Sequence, residues 1–175
     1  MTDQEQITLV EKAWEACQKL LPPEICASLE TCEEVPGRMR KEDFDVMHFR
    51  IRPKSSRPKA FWSASGCHYQ MCVGPDGSGH VCGVNFTHAT RQKATGSGQY
   101  LPAVLKILKD LNPPPNTFGE PQKKGRDGSE YLVYECGYRP SIKDHLYIPI
   151  DQAAKDLAWL IESTLPKFLA IPDAC

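Results

Sequence analysis

The side chains with the widest chemical reach in this sequence are its eight cysteines and five histidines. Six of them crowd one stretch: Cys67, His68, Cys72, His80, Cys82 and His88. Thiolates and imidazoles hold zinc when four of them converge tetrahedrally. The spacing here is C-x4-C followed by H-x-C, with no matching second knuckle. The segments CHYQMCV and GHVCGVNF read as strands, joined by GPDGSG at 74–79. Its three glycines can take positive φ, so a hairpin follows. A symmetric turn would place Cys67, Tyr69, Met71, Val73, Cys82, Val84 and Phe86 on the core side. His68 and Cys72 would then lie on the other face, away from Cys67 and Cys82, so the six cannot share one ion. The expectation is no metal and no cofactor, with buried thiols beside exposed histidines.

Other chemistries are less well supplied. A cysteine nucleophile would need His68, His80, His88 or His145 as its base, an arrangement that lives in space and not in spacing. A metal-dependent nuclease would need clustered carboxylates beside a lysine. Asp43 and Asp45 open a strand, and Lys54 and Lys59 follow, but no second strand carries an acidic-x-Lys triplet. Glu130 and Glu135 have no lysine partner close by in their strand. These acids read as solvent-facing positions at strand ends. The T-G-S-G run at 95–98 precedes a helix. Its backbone N–H groups, with Ser97, Arg91 and Lys93, could cradle a phosphate at the helix N-terminus. It matches neither the P-loop nor the G-x-G-x-x-G pattern. A flexible loop with a helix cap is the plainer reading of the same residues.

The charge pattern is more informative than the net charge of −1. Residues 1–34 hold eight acidic side chains against Lys12 and Lys19. Residues 36–109 hold twelve basic ones against Glu42, Asp43, Asp45 and Asp76. Such local imbalance can build an anion-binding face on a neutral protein. The residues expected to carry it are Arg50, Arg52, Lys54, Arg57, Arg91, Lys93 and Ser97, together with Lys123, Lys124 and Arg126. Trp62, Tyr69 or Tyr100 could stack on bases. The competing account is that the basic segment pairs with the acidic first helix and otherwise stays solvated.

The elements that must position these residues follow from periodicity. Thr2 and Glu5 fit a capping box. Ile7, Val10, Trp14, Cys17 and Leu21 form one apolar helical stripe, ended by Pro22 and Pro23. Ile25, Cys26 and Leu29 suggest a short second helix. In FDVMHFRIR (44–52) the period changes to two, with Met47, Phe49 and Ile51 on one side. KAFWSA, EYLVYECGY (130–138) and HLYIPI (145–150) read as further strands. Leu101, Val104, Leu105, Leu108 and Leu111 mark a central helix, with Pro102 in its first turn. Asn112 to Pro115 end it, and 116–129 reads as a surface loop. Asp151 can cap a last helix whose buried face is Ala154, Leu157, Ala158, Ile161, Leu165 and Phe168.

Strands in runs joined by short turns give an α+β class. The expected architecture is a single domain (1–175) with a mainly antiparallel sheet of about six strands. N-terminal, central and C-terminal helices pack on one face. With 175 residues, 41% of them hydrophobic, the chain can form a core without disulfides. No apolar run approaches the length of a membrane span, and the acidic, helical start differs from a secretory signal, so no membrane contact and a cytoplasmic setting are expected.

Three functions compete. The leading one is a non-enzymatic binding module that meets an anionic partner, nucleic acid among the candidates, through the basic central region. The second is a protein-interaction or accessory subunit, contacting a protein partner through the acidic first helix or the NPPPN segment. The third is a small thiol- or metal-dependent enzyme.

Overall fold

The structure, a computed structural model, describes residues 1–41, 44–54, 68–77, 79–83, 97–112, 123–124, 130–131, 134–137, 140–141, 144–145 and 149–172. Helix α1 runs Asp3–Leu20. The Thr2 hydroxyl accepts from the Glu5 backbone N–H, and the Glu5 carboxylate accepts in return from the Thr2 N–H. The capping box therefore satisfies two donors that the first turn leaves without helical partners. That reciprocal bonding holds the Glu5 carboxyl below its ordinary range. Helix α2 is one short turn, Pro23–Ala27, and Leu29 opens a strand instead of extending it. Ser28 ends that helix by donating its hydroxyl to the Ile25 carbonyl.

The main sheet is built from β1 (Leu29–Thr31), β2 (Gly37–Lys41), β3 (Phe44–Pro53), β4 (Tyr69–Val73), β5 (Gly79–Gly83) and β8 (Tyr134–Gly137). Both β1 and β2 pair with β3, and the order then runs β3-β4-β5-β8 with every pairing antiparallel. Two short pairs stand apart: β6 (Lys123–Lys124) with β7 (Glu130–Tyr131), and β9 (Pro140–Ser141) with β10 (Asp144–His145). The α+β class and the antiparallel sheet are as the sequence predicts, but the strand inventory differs. β1 and β2 carry no strong two-residue alternation of apolar side chains, and sequence reading missed both. Within 130–138 the described residues Glu130–Tyr131 pair with β6 and Tyr134–Gly137 pair with β5. Lys123 and Lys124, expected in a loop, form a strand. Of the strand expected over 145–150, His145 lies in a strand and Ile150 starts a helix, while 146–148 lie outside the described residues. KAFWSA lies outside the described residues.

Helix α3 spans Leu101–Lys109 after a 3-10 turn over Ser97–Tyr100, and helix α4 spans Ile150–Leu169. Pro149, not Asp151, occupies the N-cap of α4. Asp151 sits in the first turn, where a negative charge suits the positive end of the helix dipole. Helix α1 lies over β3 and β4, while α4 lies over β4, β5 and β8 and against α1; α3 packs on α4. One core joins these layers. Met47, Phe49, Ile51, Tyr69, Met71 and Val73 meet Val10, Trp14 and Cys17 of α1 and Leu157, Ile161, Leu165 and Phe168 of α4. The alternation in β3 and the helical stripes in α1 and α4 thus bury the sides that their periods predict.

The hairpin between β4 and β5 corrects the expected register. Val73 pairs with Gly79, Cys72 with His80, Met71 with Val81 and Gln70 with Cys82. The turn therefore spans 74–78, one residue shorter than a symmetric reading of GPDGSG. Gly77 takes φ 83°, the left-handed conformation a side chain resists. A slip of one residue moves every side chain of a strand to the other face. By this register position 81 falls on the core side, and positions 80 and 82 join Cys72 and Gln70 on the reverse side. Val84, Phe86 and Cys67 lie outside the described residues.

Candidate functional site

The reverse face of the sheet, turned away from α1 and α4, is polar and yet buried. His48 is 8% exposed, His68 4%, Gln70 3% and Cys72 1%. The expectation of exposed histidines is therefore overturned for His68. Polar side chains in such a setting cost free energy unless they find partners. Gln70 Nε2 donates to Cys72 Sγ at 3.2 Å. His48 stands opposite Gly37, where a Cβ would lie 3.2 Å from the imidazole Cε1. A glycine at that point of β2 leaves the ring room to lie against the sheet.

Arg50 and Arg52 follow His48 on the same face by alternation, and both are engaged. Arg50 pairs with Glu33 through its guanidinium and also donates its backbone N–H to Glu33 at 3.0 Å. Arg52 Nε donates to Glu30 at 2.9 Å, directly across the β1–β3 pair. Lys54 Nζ donates to the Ala27 carbonyl at 2.8 Å while remaining exposed. Arg38, on the helix side by register with Met47, pairs with Asp3 of α1. The acidic N-terminal segment thus supplies carboxylates to Arg38, Arg50 and Arg52. Of these pairs only Arg38–Asp3 is the pairing with the first helix that the sequence suggested, since Glu30 and Glu33 lie beyond that helix. The Arg38–Asp3 pair is half-exposed on both sides, and such pairs contribute about 0–1 kcal/mol.

Ser97 begins the 3-10 turn that leads into α3, and Lys123 and Lys124 form β6. Arg57, Arg91, Lys93 and Arg126 lie outside the described residues, as do Trp62, Cys67 and His88.

Two of the described thiols, Cys17 and Cys32, do not suit nucleophilic chemistry. Burial in the α1 core pushes the Cys17 thiol up to about 12, with the neighbouring Cys26 adding to the effect. Burial also raises Cys32, opposed by the nearby guanidinium of Arg52. A thiol held that way is scarcely ionised at neutral pH, and the thiolate is the nucleophile. Cys17, Cys26, Cys32 and Cys72 form no disulfide. Among the described residues, no three His, Cys, Asp or Glu side chains are placed to hold a metal ion.

One buried acid lies away from this face. Asp156, on α4, is 3% exposed and accepts from Gln152 Nε2 at 2.8 Å. Desolvation raises its carboxyl above the ordinary range, and the Gln152 bond offsets part of the rise. A raised acid binds its proton more tightly in the folded state, so stability falls as pH climbs through the interval above the ordinary carboxylate range. Asp156→Asn is expected to stabilise the protein above the ordinary carboxylate range and to leave it unchanged at pH 3. Thermal unfolding followed across pH 3–8 checks both the gain and its pH window.

Comparison with known proteins gives no match: no family model, no curated protein and no solved structure resembles the chain. Among the described residues no helix is long and apolar enough to cross a membrane.

Proposed function

We propose that this protein is a non-enzymatic binding module for an anionic partner, with nucleic acid as the partner class. The observation that supports the reading is the segregation of charge: twelve basic side chains over 36–109 and a further cluster at 123–126. The ion pairs refine it. Arg50 and Arg52 are held by Glu33 and Glu30, so their role is to fasten β1 and the chain after it onto β3. The anion contacts then fall to Lys54, Arg57, Arg91, Lys93 and Ser97, and to Lys123, Lys124 and Arg126. Lysine and arginine bind phosphates largely by releasing condensed counterions, which makes the affinity steeply salt-dependent.

The test is fluorescence anisotropy of labelled single- and double-stranded DNA and RNA at two salt concentrations. The expected result is a Kd on the order of micromolar at low salt, weakening steeply between the two. Reversing Arg91 and Lys93 to glutamate is expected to lower affinity on every sequence. It should also reduce the log–log salt slope by about one for each phosphate no longer neutralised. Absence of binding at low salt would overturn the nucleic-acid reading.

A further inference from the structure

Both β1 and β2 meet the same edge of β3, so Leu29–Lys41 is one edge strand with an interruption. The Lys54 N–H donates to the Ser28 carbonyl, and the Cys32 N–H donates to the Arg50 carbonyl. Even-numbered residues of this stretch therefore face β3. The backbone N–H and C=O groups of Leu29 and Thr31 point outward by alternation. Among the described residues no strand covers that side of β1. Pairing resumes only at Gly37, opposite His48, so residues 33–36 stand against Phe49 alone. An ordinary bulge sets two residues against one. Here four stand against one, and the chain has to leave the ladder and return to it. The excursion is anchored at both ends. The Glu33 carboxylate accepts the Arg50 backbone N–H at 3.0 Å, in the place where a continued ladder would put the Cys32 carbonyl. The same carboxylate pairs with the Arg50 guanidinium. Pro36 is buried at the return, while Glu34 and Val35 stand out at the tip, with Val35 60% exposed.

We propose that this excursion is an edge guard, which stops a second copy of this chain from adding a strand at β1 and so keeps the protein monomeric. An open sheet edge is a template for pairing with another chain. Strand addition draws its affinity from backbone hydrogen bonds repeated along a run of residues. Without the excursion, β1 and β2 would join into one edge of about ten residues, the upper end of ordinary strand lengths. With it, the open run stops at Cys32. A strand arriving from outside meets Glu34 and Val35 before it can extend. Pro36 adds to the break, since it has no N–H to offer a ladder. The Glu33–Arg50 pairing holds the break in place, which gives that ion pair a use beyond fastening β1. The guard acts on association between copies, whichever anionic partner the protein binds.

The test is sedimentation velocity of the full chain and its variants over a wide range of concentration. The unmodified chain is expected to sediment as a monomer throughout. Deleting Glu34–Pro36 leaves Glu33 as the one residue opposite Phe49 and makes the edge continuous. This variant, once circular dichroism shows it folded, is expected to approach twice the monomer mass as concentration rises. Adding Thr31→Pro to the deletion removes an outward N–H and is expected to restore the monomer. Because a deletion can prevent folding, a full-length variant puts the same question. Glu33→Thr with Pro36→Thr releases both ends of the excursion at unchanged length, and it too is expected to associate. A folded deletion variant that stays monomeric would overturn the proposal. So would association that Thr31→Pro does not reverse, or an unmodified chain that associates. Where the deletion variant does not fold, a monomeric full-length variant overturns it.

Discussion

Phe168→Ala is expected to cost about 3–5 kcal/mol of folding stability, the range for emptying a fully buried aromatic site. Phe168 is 0% exposed near the end of α4, packed in the core that α4 and α1 share with the sheet. Folded domains are stable by roughly 5–15 kcal/mol in total, so this variant should lie near the unfolding threshold at 25 °C. Its neighbour supplies the control. Leu169 is 39% exposed, and Leu169→Ala should change stability by less than about 0.5 kcal/mol. Equilibrium urea unfolding of the two variants separates them. A Phe168→Ala loss below about 1 kcal/mol would mean that the end of α4 is not docked on the sheet.

The second large effect comes from a hydroxyl pair buried between sheet and helix. Thr164 Oγ1 donates to the Leu160 carbonyl at 2.6 Å, one helical turn back. The Tyr69 hydroxyl lies 2.7 Å from the same oxygen. Since the threonine proton is committed to Leu160, tyrosine is the donor and threonine the acceptor. Both residues are fully buried. Thr164→Val keeps the shape but removes the buried acceptor that the Tyr69 hydroxyl faces, which is expected to cost about 1–3 kcal/mol. Tyr69→Phe removes the donor and leaves Thr164 still bonded to Leu160, so its cost should be nearer 1 kcal/mol. In the double variant the Tyr69–Thr164 bond is lost only once, so the loss should be smaller than the sum of the two. A double-mutant cycle by urea unfolding measures that difference. Strict additivity would mean the two hydroxyls do not interact.

The two faces of the sheet differ in the kind of burial they impose. On the α1–α4 side, apolar burial is non-directional and tolerates any side chain of the right size and polarity. On the reverse side, the buried groups are imidazole, thiol and amide, whose stability depends on which atom faces which. A protein that buries His48, His68, Gln70 and Cys72 on one sheet face commits that face to specific partners. The ion pairs at its edge, Arg50 with Glu33 and Arg52 with Glu30, continue the same logic toward solvent.

What the sequence determined by itself was everything governed by short-range periodicity. The capping box at Thr2, the buried stripes of α1 and α4 and the inward row Met47, Phe49 and Ile51 each follow from residues within a few positions of one another. The α+β class follows from the order of those periods. Tertiary structure alone decided three further matters. It recruited Leu29–Thr31 and Gly37–Lys41 as strands, because their hold on β3 comes from pairing across the chain and no local pattern announces it. It set Arg38, Arg50 and Arg52 against carboxylates from the acidic segment, a choice that depends on how α1 and β1 dock. It also fixed the β4–β5 register by shortening the turn to 74–78, with Gly77 supplying the positive φ. That last decision rests on a single residue. Because side chains alternate with a period of two, it carried positions 80 and 82 from the apolar core to the face that holds His48 and Cys72.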